Sequence, residues 1–244
     1  MATQKRIDAR DRLIVALDLP DVSAARRLID DLGEAVRFYK IGLSLQLASG
    51  VGELIDDLIK SGRKVFLDYK YYDIPETLAK AVGRAAKLGV SFLTIHGSSP
   101  IIRAAVRAKG ESDLKLFTVT VLTSMDIDDI REMGYSMHTP EDLVLYRSRM
   151  ALQAGCDGVI ASGREAKQIK ELTQGKLLVV TPGIRPDGSS ADDQKRTTSP
   201  REAISHGADY LVVGRPITQP AEGTPRQAAQ GIADEMQAAF DAPR

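Results

Sequence analysis

Short runs of apolar, often β-branched residues alternate along the whole chain with longer stretches in which apolar residues recur every three or four positions. The first pattern reads as buried strand and the second as amphipathic helix. Strand-type runs fall at 13–17, 38–41, 64–69, 92–96, 116–122, 158–161, 177–181 and 210–213. Helix-type segments fall between them at 23–32, 53–60, 77–88, 101–108, 140–154, 165–172 and 201–205, with a last one at 226–240. Gly33, Gly62, Gly89, Gly155 and Gly207 stand where a helix would give way to the next strand.

A strand followed by a helix, repeated eight times with no Pro- or Ser-rich linker, predicts α/β architecture. The expected form is one domain over 1–244, a (β/α)8 TIM barrel with a parallel eight-stranded core behind a polar segment 1–12. An open doubly wound sheet fits the same alternation, because strand order is not written in the sequence. In a barrel the active site lies at the carboxyl ends of the strands. There the chain places Asp18, Lys40, Asp68, Lys70, His96, Thr123, Gly183 to Arg185, Gly214 and Arg215.

Composition narrows the partners. The length of 244 residues and a 43% hydrophobic content suit one large core. Lys plus Arg and Asp plus Glu number 33 each, so no surplus positive field exists for nucleic acid or an anionic membrane, and any anion site must be local. Residues 1–12 lack the apolar stretch of a secretory signal, and no apolar run approaches the roughly 18 residues of a spanning helix. The single cysteine, Cys156, reads as a small buried hydrophobe and fits a reducing compartment. We therefore expect a cytoplasmic protein. His96, His138 and His206 are too dispersed for a zinc-type site, and His96, at a strand end, reads either as catalytic or, at least as readily, as a neutral structural residue.

The richest segment is Asp68-Tyr69-Lys70-Tyr71-Tyr72-Asp73-Ile74-Pro75-Glu76-Thr77. Asp68 and Lys70, two apart on a strand, are expected on one face toward the barrel mouth, with Asp73 beyond them and Thr77 starting the next helix. Such charges survive partial dehydration only by compensating one another. A lysine held cationic between carboxylates stabilises a developing carbanion and then protonates it. Spacing alone fits equally an ion-pair network that braces a strand end.

That segment resembles the signature of orotidine 5′-phosphate decarboxylases. Further similarities run through the chain: Ala16-Leu17-Asp18, Tyr39-Lys40-Ile41-Gly42, Thr118 to Ser124, Thr181 to Pro186, Gln194, and Val213-Gly214-Arg215-Pro216-Ile217-Thr218. The resemblance implies removal of carbon dioxide from orotidine 5′-phosphate to give uridine 5′-phosphate, in pyrimidine biosynthesis and without a metal or other cofactor. It implies that Lys70 is the proton donor, that Asp68 crowds the substrate carboxylate, and that Lys40 and Asp18 link the ribose hydroxyls to the charged array. Thr123 is expected to read the pyrimidine edge. Gln194, Arg215, Arg185 and the backbone at Gly214 are expected to grip the phosphate.

The resemblance also implies a homodimer in which Asp73, with Ile74 and Thr77, reaches the partner's site. The polar stretch 185–198 is expected to cover the bound phosphate, although by itself it reads equally as an exposed loop. Tyr69, Tyr71, Tyr72, Glu76 and Leu78 depart from the usual motif without replacing a charged member. Two rivals stand beside this reading. Barrels with the same Asp-x-Lys-x-x-Asp pattern use magnesium on sugar phosphates, but Lys40 falls where their metal needs a carboxylate. A nucleotide-binding barrel without catalysis would be expected to lack Asp68 or Lys70.

Overall fold

All eight expected strands form: β1 (Leu13–Ala16), β2 (Phe38–Gly42), β3 (Lys64–Tyr71), β4 (Phe92–Ile95), β5 (Lys115–Val119), β6 (Gly158–Ile160), β7 (Leu178–Thr181) and β8 (Tyr210–Val213). They pair in parallel in chain order. β8 returns to β1 through Leu13↔Leu211, Ile14↔Val212 and Val15↔Val213, which closes the barrel and removes the open-sheet alternative. The computed structural model describes residues 8–186 and 196–242. Residues 1–7 of the polar N-terminal segment and 187–195 of the expected covering loop, Gln194 among them, lie outside the described residues.

The helices are α1 (Val22–Leu32), α2 (Leu43–Gln46), α3 (Val51–Lys60), α4 (Pro75–Leu88), α5 (Ser99–Lys109), α6 (Ile127–Glu132), α7 (Pro140–Gln153), α8 (Ala166–Thr173), α9 (Pro200–Ser205), α10 (Arg215–Thr218) and α11 (Pro225–Asp241). α2, α6 and α10, of four to six residues each, were not expected. Thr77 does not start its helix as expected. α4 begins at Pro75, whose missing N–H is no loss in a first turn. Capping boxes from Thr139, Ser199 and Thr224 start α7, α9 and α11.

β5 stops three residues short of the expected 122. The carbonyls of Val121 and Leu122 accept hydrogen bonds from the Arg196 guanidinium at 3.0 and 3.1 Å, so the chain leaves the ladder there.

Strand alternation sorts the core into two shells. Leu13, Val15, Val65, Leu67, Leu93, Val159, Leu211 and Val213 face the helices. Ile14, Ala16, Phe38, Phe66, Phe92, Phe117, Val180, Tyr210 and Val212 fill the lumen. Phe92 lies at the centre of that plug, with ring centroids 4.6 Å from Phe117, 4.8 Å from Phe38 and 4.9 Å from Tyr210. Burying each such side chain stabilises the fold by about 1.5–3 kcal/mol. Two residues above the plug, on β2 to β5 or just past the ends of β1 and β8, come Asp18, Lys40, Asp68, Thr94, Val119 and Gly214. The floor of the mouth is therefore laid directly on the aromatic layer.

Candidate active site

Lys40 sits between two carboxylates. Its Nζ lies 3.0 and 3.2 Å from the oxygens of Asp18 and 3.4 Å from Oδ2 of Asp68. On its other side Asp68 accepts from Lys70 Nζ through Oδ1 at 3.0 Å. The order Asp18, Lys40, Asp68, Lys70 thus alternates in sign across β1, β2 and β3. Only 8% of the Lys40 side chain and 16% of that of Asp68 meet solvent, so each depends on its neighbours for compensation. Burial pushes the Asp68 carboxyl up, but Lys40 and Lys70, with hydrogen bonds from Lys70 and Thr94, outweigh it and hold the group below its usual range. Gly42 leaves room for this row, because a Cβ there would lie 2.6 Å from Asp18 Oδ1 and 3.0 Å from Lys40 Nζ.

Lys70 does not reach Asp68 by plain strand alternation. The β3–β4 register passes from Leu67↔Leu93 to Tyr71↔Ile95, so β3 spends two more residues than its partner, and Lys70 adopts φ 50°. That conformation costs a non-glycine residue about 1–2 kcal/mol. Thr94, fully buried, supports it. Its hydroxyl accepts from the Lys70 backbone N–H at 2.9 Å and donates to Asp68 Oδ1 at 2.9 Å. One side chain thereby fixes both the kink and the carboxylate. Sequence reasoning passed over Thr94 because a threonine in a strand is ordinary; its place two residues beyond an inward phenylalanine was the available signal.

These residues line a cleft of about 590 Å³ at the carboxyl ends of the strands. Asp18, Lys40, Asp68, Lys70, Thr123, Arg185, Gly214 and Arg215 all border it, on β1–β3 and on the loops after β5, β7 and β8. Val119, Val121, Leu122 and Ile160 supply an apolar side wall. Asp73, Ile74 and Thr77 do not border the cleft of their own chain: all three are exposed beyond the end of β3. Asp73 accepts from the Ile74 N–H at 2.6 Å. Ile74 is 65% exposed, and Tyr72, Leu43 and Leu47 are exposed with it at the ends of β3 and β2.

The unusual tyrosines pack locally, Tyr69 on Tyr71 and Tyr72 on His96. Glu76 pairs with Lys80 on the surface, while Leu78 joins the core. Burial, with a smaller effect of Arg147, pushes the His96 imidazole toward its neutral form. Cys156 is buried, its thiol pushed up to about 12. Among the described residues no three His, Cys, Asp or Glu side chains converge on one point, and no helix is long and apolar enough to cross a membrane.

Comparison with known proteins gives a consistent picture. An orotidine 5′-phosphate decarboxylase of Nitrobacter winogradskyi is 54% identical over 228 residues, covering 93% of each chain. One of Methylococcus capsulatus is 46% identical over 241 residues, covering 98% of each. The crystal structure of orotidine 5′-phosphate decarboxylase from Lactobacillus acidophilus matches with a TM-score of 0.79 at 35% identity, covering 92% of this chain and 98% of that one. Residues 11–232 match the family described as orotidine 5′-phosphate decarboxylase / HUMPS. The chain belongs to that family.

Proposed function

We propose that this protein decarboxylates orotidine 5′-phosphate to uridine 5′-phosphate and carbon dioxide in pyrimidine biosynthesis. The observation that carries the reading is the row Asp18–Lys40–Asp68–Lys70 on the cleft floor, in which each charge is held by its neighbour. Asp68 crowds the carboxylate of the bound nucleotide. Cleavage of the ring–carboxylate bond releases carbon dioxide and leaves its electron pair on the ring as a vinyl carbanion. Lys70 Nζ stabilises that charge and transfers a proton to the carbon, and the neutral amine then recovers a proton from water. Asp68 favours the reaction through differential binding, because its repulsion falls as the carboxylate departs.

Lys40 and Asp18 hold the ribose hydroxyls, Thr123 reads the pyrimidine edge, and Arg185, Gln194, Arg215 and the Gly214 backbone bind the phosphate. The reading needs no cofactor. The magnesium-dependent activity of related barrels is disfavoured by Lys40, whose ammonium already stands between the two carboxylates a cation would use. Asp73, Ile74 and Thr77 act on the partner's cleft in a homodimer. Their exposure beyond β3, together with the exposure of the apolar side chains Ile74, Tyr72, Leu43 and Leu47, supports this arrangement. The protein works in the cytoplasm.

The test follows orotidine 5′-phosphate by ultraviolet absorbance in the presence of a chelator. Turnover is expected for the native protein. Lys70→Ala is expected to lose turnover while still binding uridine 5′-phosphate. Full activity of Lys70→Ala, or activity restored only by magnesium, overturns the reading.

A further inference from the structure

The described end of the segment after β7 turns inward. Arg196 is 6% exposed although it follows a polar stretch, and it meets Glu165, a fully buried carboxylate at the start of α8, through Nη1···Oε1 at 2.9 Å. The same guanidinium donates through Nη2 to the carbonyls of Val121 and Leu122. Its backbone N–H donates to Thr123 O at 3.2 Å, and its carbonyl accepts from Ser162 Oγ at 3.4 Å. Two residues on, Thr198 O accepts from the Arg185 N–H at 2.9 Å, and Ile184 and Thr198 form a parallel bridge. Gly163 permits this close seating, because a Cβ there would collide with the Thr198 hydroxyl.

We infer that Arg196 and Glu165 form a positioning pair that locks the Val121–Thr123 edge of the cleft to the Arg185 edge, so that the two ends of the nucleotide meet one rigid frame. This rests on the proposed roles of Thr123 and Arg185. Val121, Leu122 and Thr123 lie past the end of β5, and the Arg196 guanidinium and N–H reach a carbonyl of each, that of Leu122 accepting also from the Met125 N–H at 3.0 Å. Glu165 serves to hold the guanidinium in place, since a buried arginine without a carboxylate is strongly unfavourable. Neither side chain touches the charged row, so their effect on the reaction passes through the carbonyls and backbone they hold.

Two variants separate positioning from bulk stability. Arg196→Lys keeps the charge opposite Glu165 but loses the planar fork that spans two carbonyls. Glu165→Leu/Arg196→Met removes both charges together and is expected to melt within about 5 °C of the parent, as buried pairs exchanged for apolar residues often do. Both are expected to lose about 10- to 100-fold in kcat/KM, chiefly through KM, with an unchanged pH profile because Lys40, Asp68 and Lys70 are untouched. The stabilisation conferred by uridine 5′-phosphate in a melting experiment is expected to shrink in both, a reading that holds whatever the variant's own stability.

Thr123→Val and Arg185→Ala serve as controls. If they are damaging while both pair variants keep kcat/KM within twofold and the full ligand-induced shift, the inference is overturned and the site stands. If the controls are silent, the reading of the site itself fails. A loss confined to kcat, with KM and the ligand-induced shift unchanged, also overturns the inference.

Discussion

Replacing Thr94 by valine keeps the shape of the side chain and deletes one hydroxyl, and that hydroxyl makes two hydrogen bonds on opposite sides. The Lys70 N–H loses its acceptor at 2.9 Å, and a buried donor left unmatched costs about 1–3 kcal/mol. Asp68 loses a donor at 2.9 Å, and a hydrogen bond to an ionised group contributes about 1.5–3 kcal/mol. Part of the second loss is offset, because Lys40 and Lys70 still face the carboxylate. A net penalty of about 2–3 kcal/mol lowers the melting temperature by about 4–12 °C for a chain of this size. The kinked conformation of Lys70 loses its anchor at the same time, so the ammonium drifts from the reacting carbon. If that misplacement removes a similar free energy from transition-state binding, kcat/KM falls about 30- to 150-fold. The assay is decarboxylation by absorbance beside thermal melting, with Thr94→Ser as the comparison because it retains the hydroxyl. A valine variant that melts with the parent and keeps kcat/KM within threefold would refute the argument, as would a serine variant as impaired as the valine one.

Other consequences are open to measurement. Mixing Lys70→Ala with Asp73→Ala, each inactive alone, is expected to restore about a quarter of native activity, since half of the random dimers are mixed and each holds one site with both groups intact; no recovery argues for sites complete within one chain. The Asp68 carboxyl is held below its usual range, so its stabilising contribution is full above the ordinary aspartate value and is lost as pH falls through the lowered folded value. The stability advantage of the parent over Asp68→Asn in urea is therefore expected to shrink below about pH 4, and a constant difference from neutral to strongly acid pH contradicts it. Phe92→Ala, at the centre of the lumen plug, is expected to cost about 3–5 kcal/mol and to lower the melting temperature by about 6–20 °C.

The barrel was legible because most strand residues are buried on both faces while the helices show one apolar side, and these two patterns differ. The charged members of the row were legible as well, since a lysine or aspartate at an inward strand end has few structural uses. What escaped was whatever depends on backbone geometry or on distant pairing. The kink at Lys70 adds residues without altering the local pattern, so Asp68 and Lys70 looked like plain strand alternation. Thr94 and Gly42 carry no charge to draw notice, and their importance lies in the single hydroxyl and the missing Cβ. Arg196 stands in a polar stretch where arginine is expected to be solvated, and its carboxylate partner lies 31 positions away. Asp73, Ile74 and Thr77 stand exposed outside the cleft of their own chain, a placement that single-chain periodicity does not encode.

The aromatic layer beneath the charged row has a consequence for traffic. Phe38, Phe66, Phe92, Phe117 and Tyr210 stopper the barrel lumen, so among the described residues the cleft does not run through to the amino ends of the strands. On the proposed reaction, nucleotide and carbon dioxide share the opening at the carboxyl ends of the strands, with Arg185 and Arg215 at its rim.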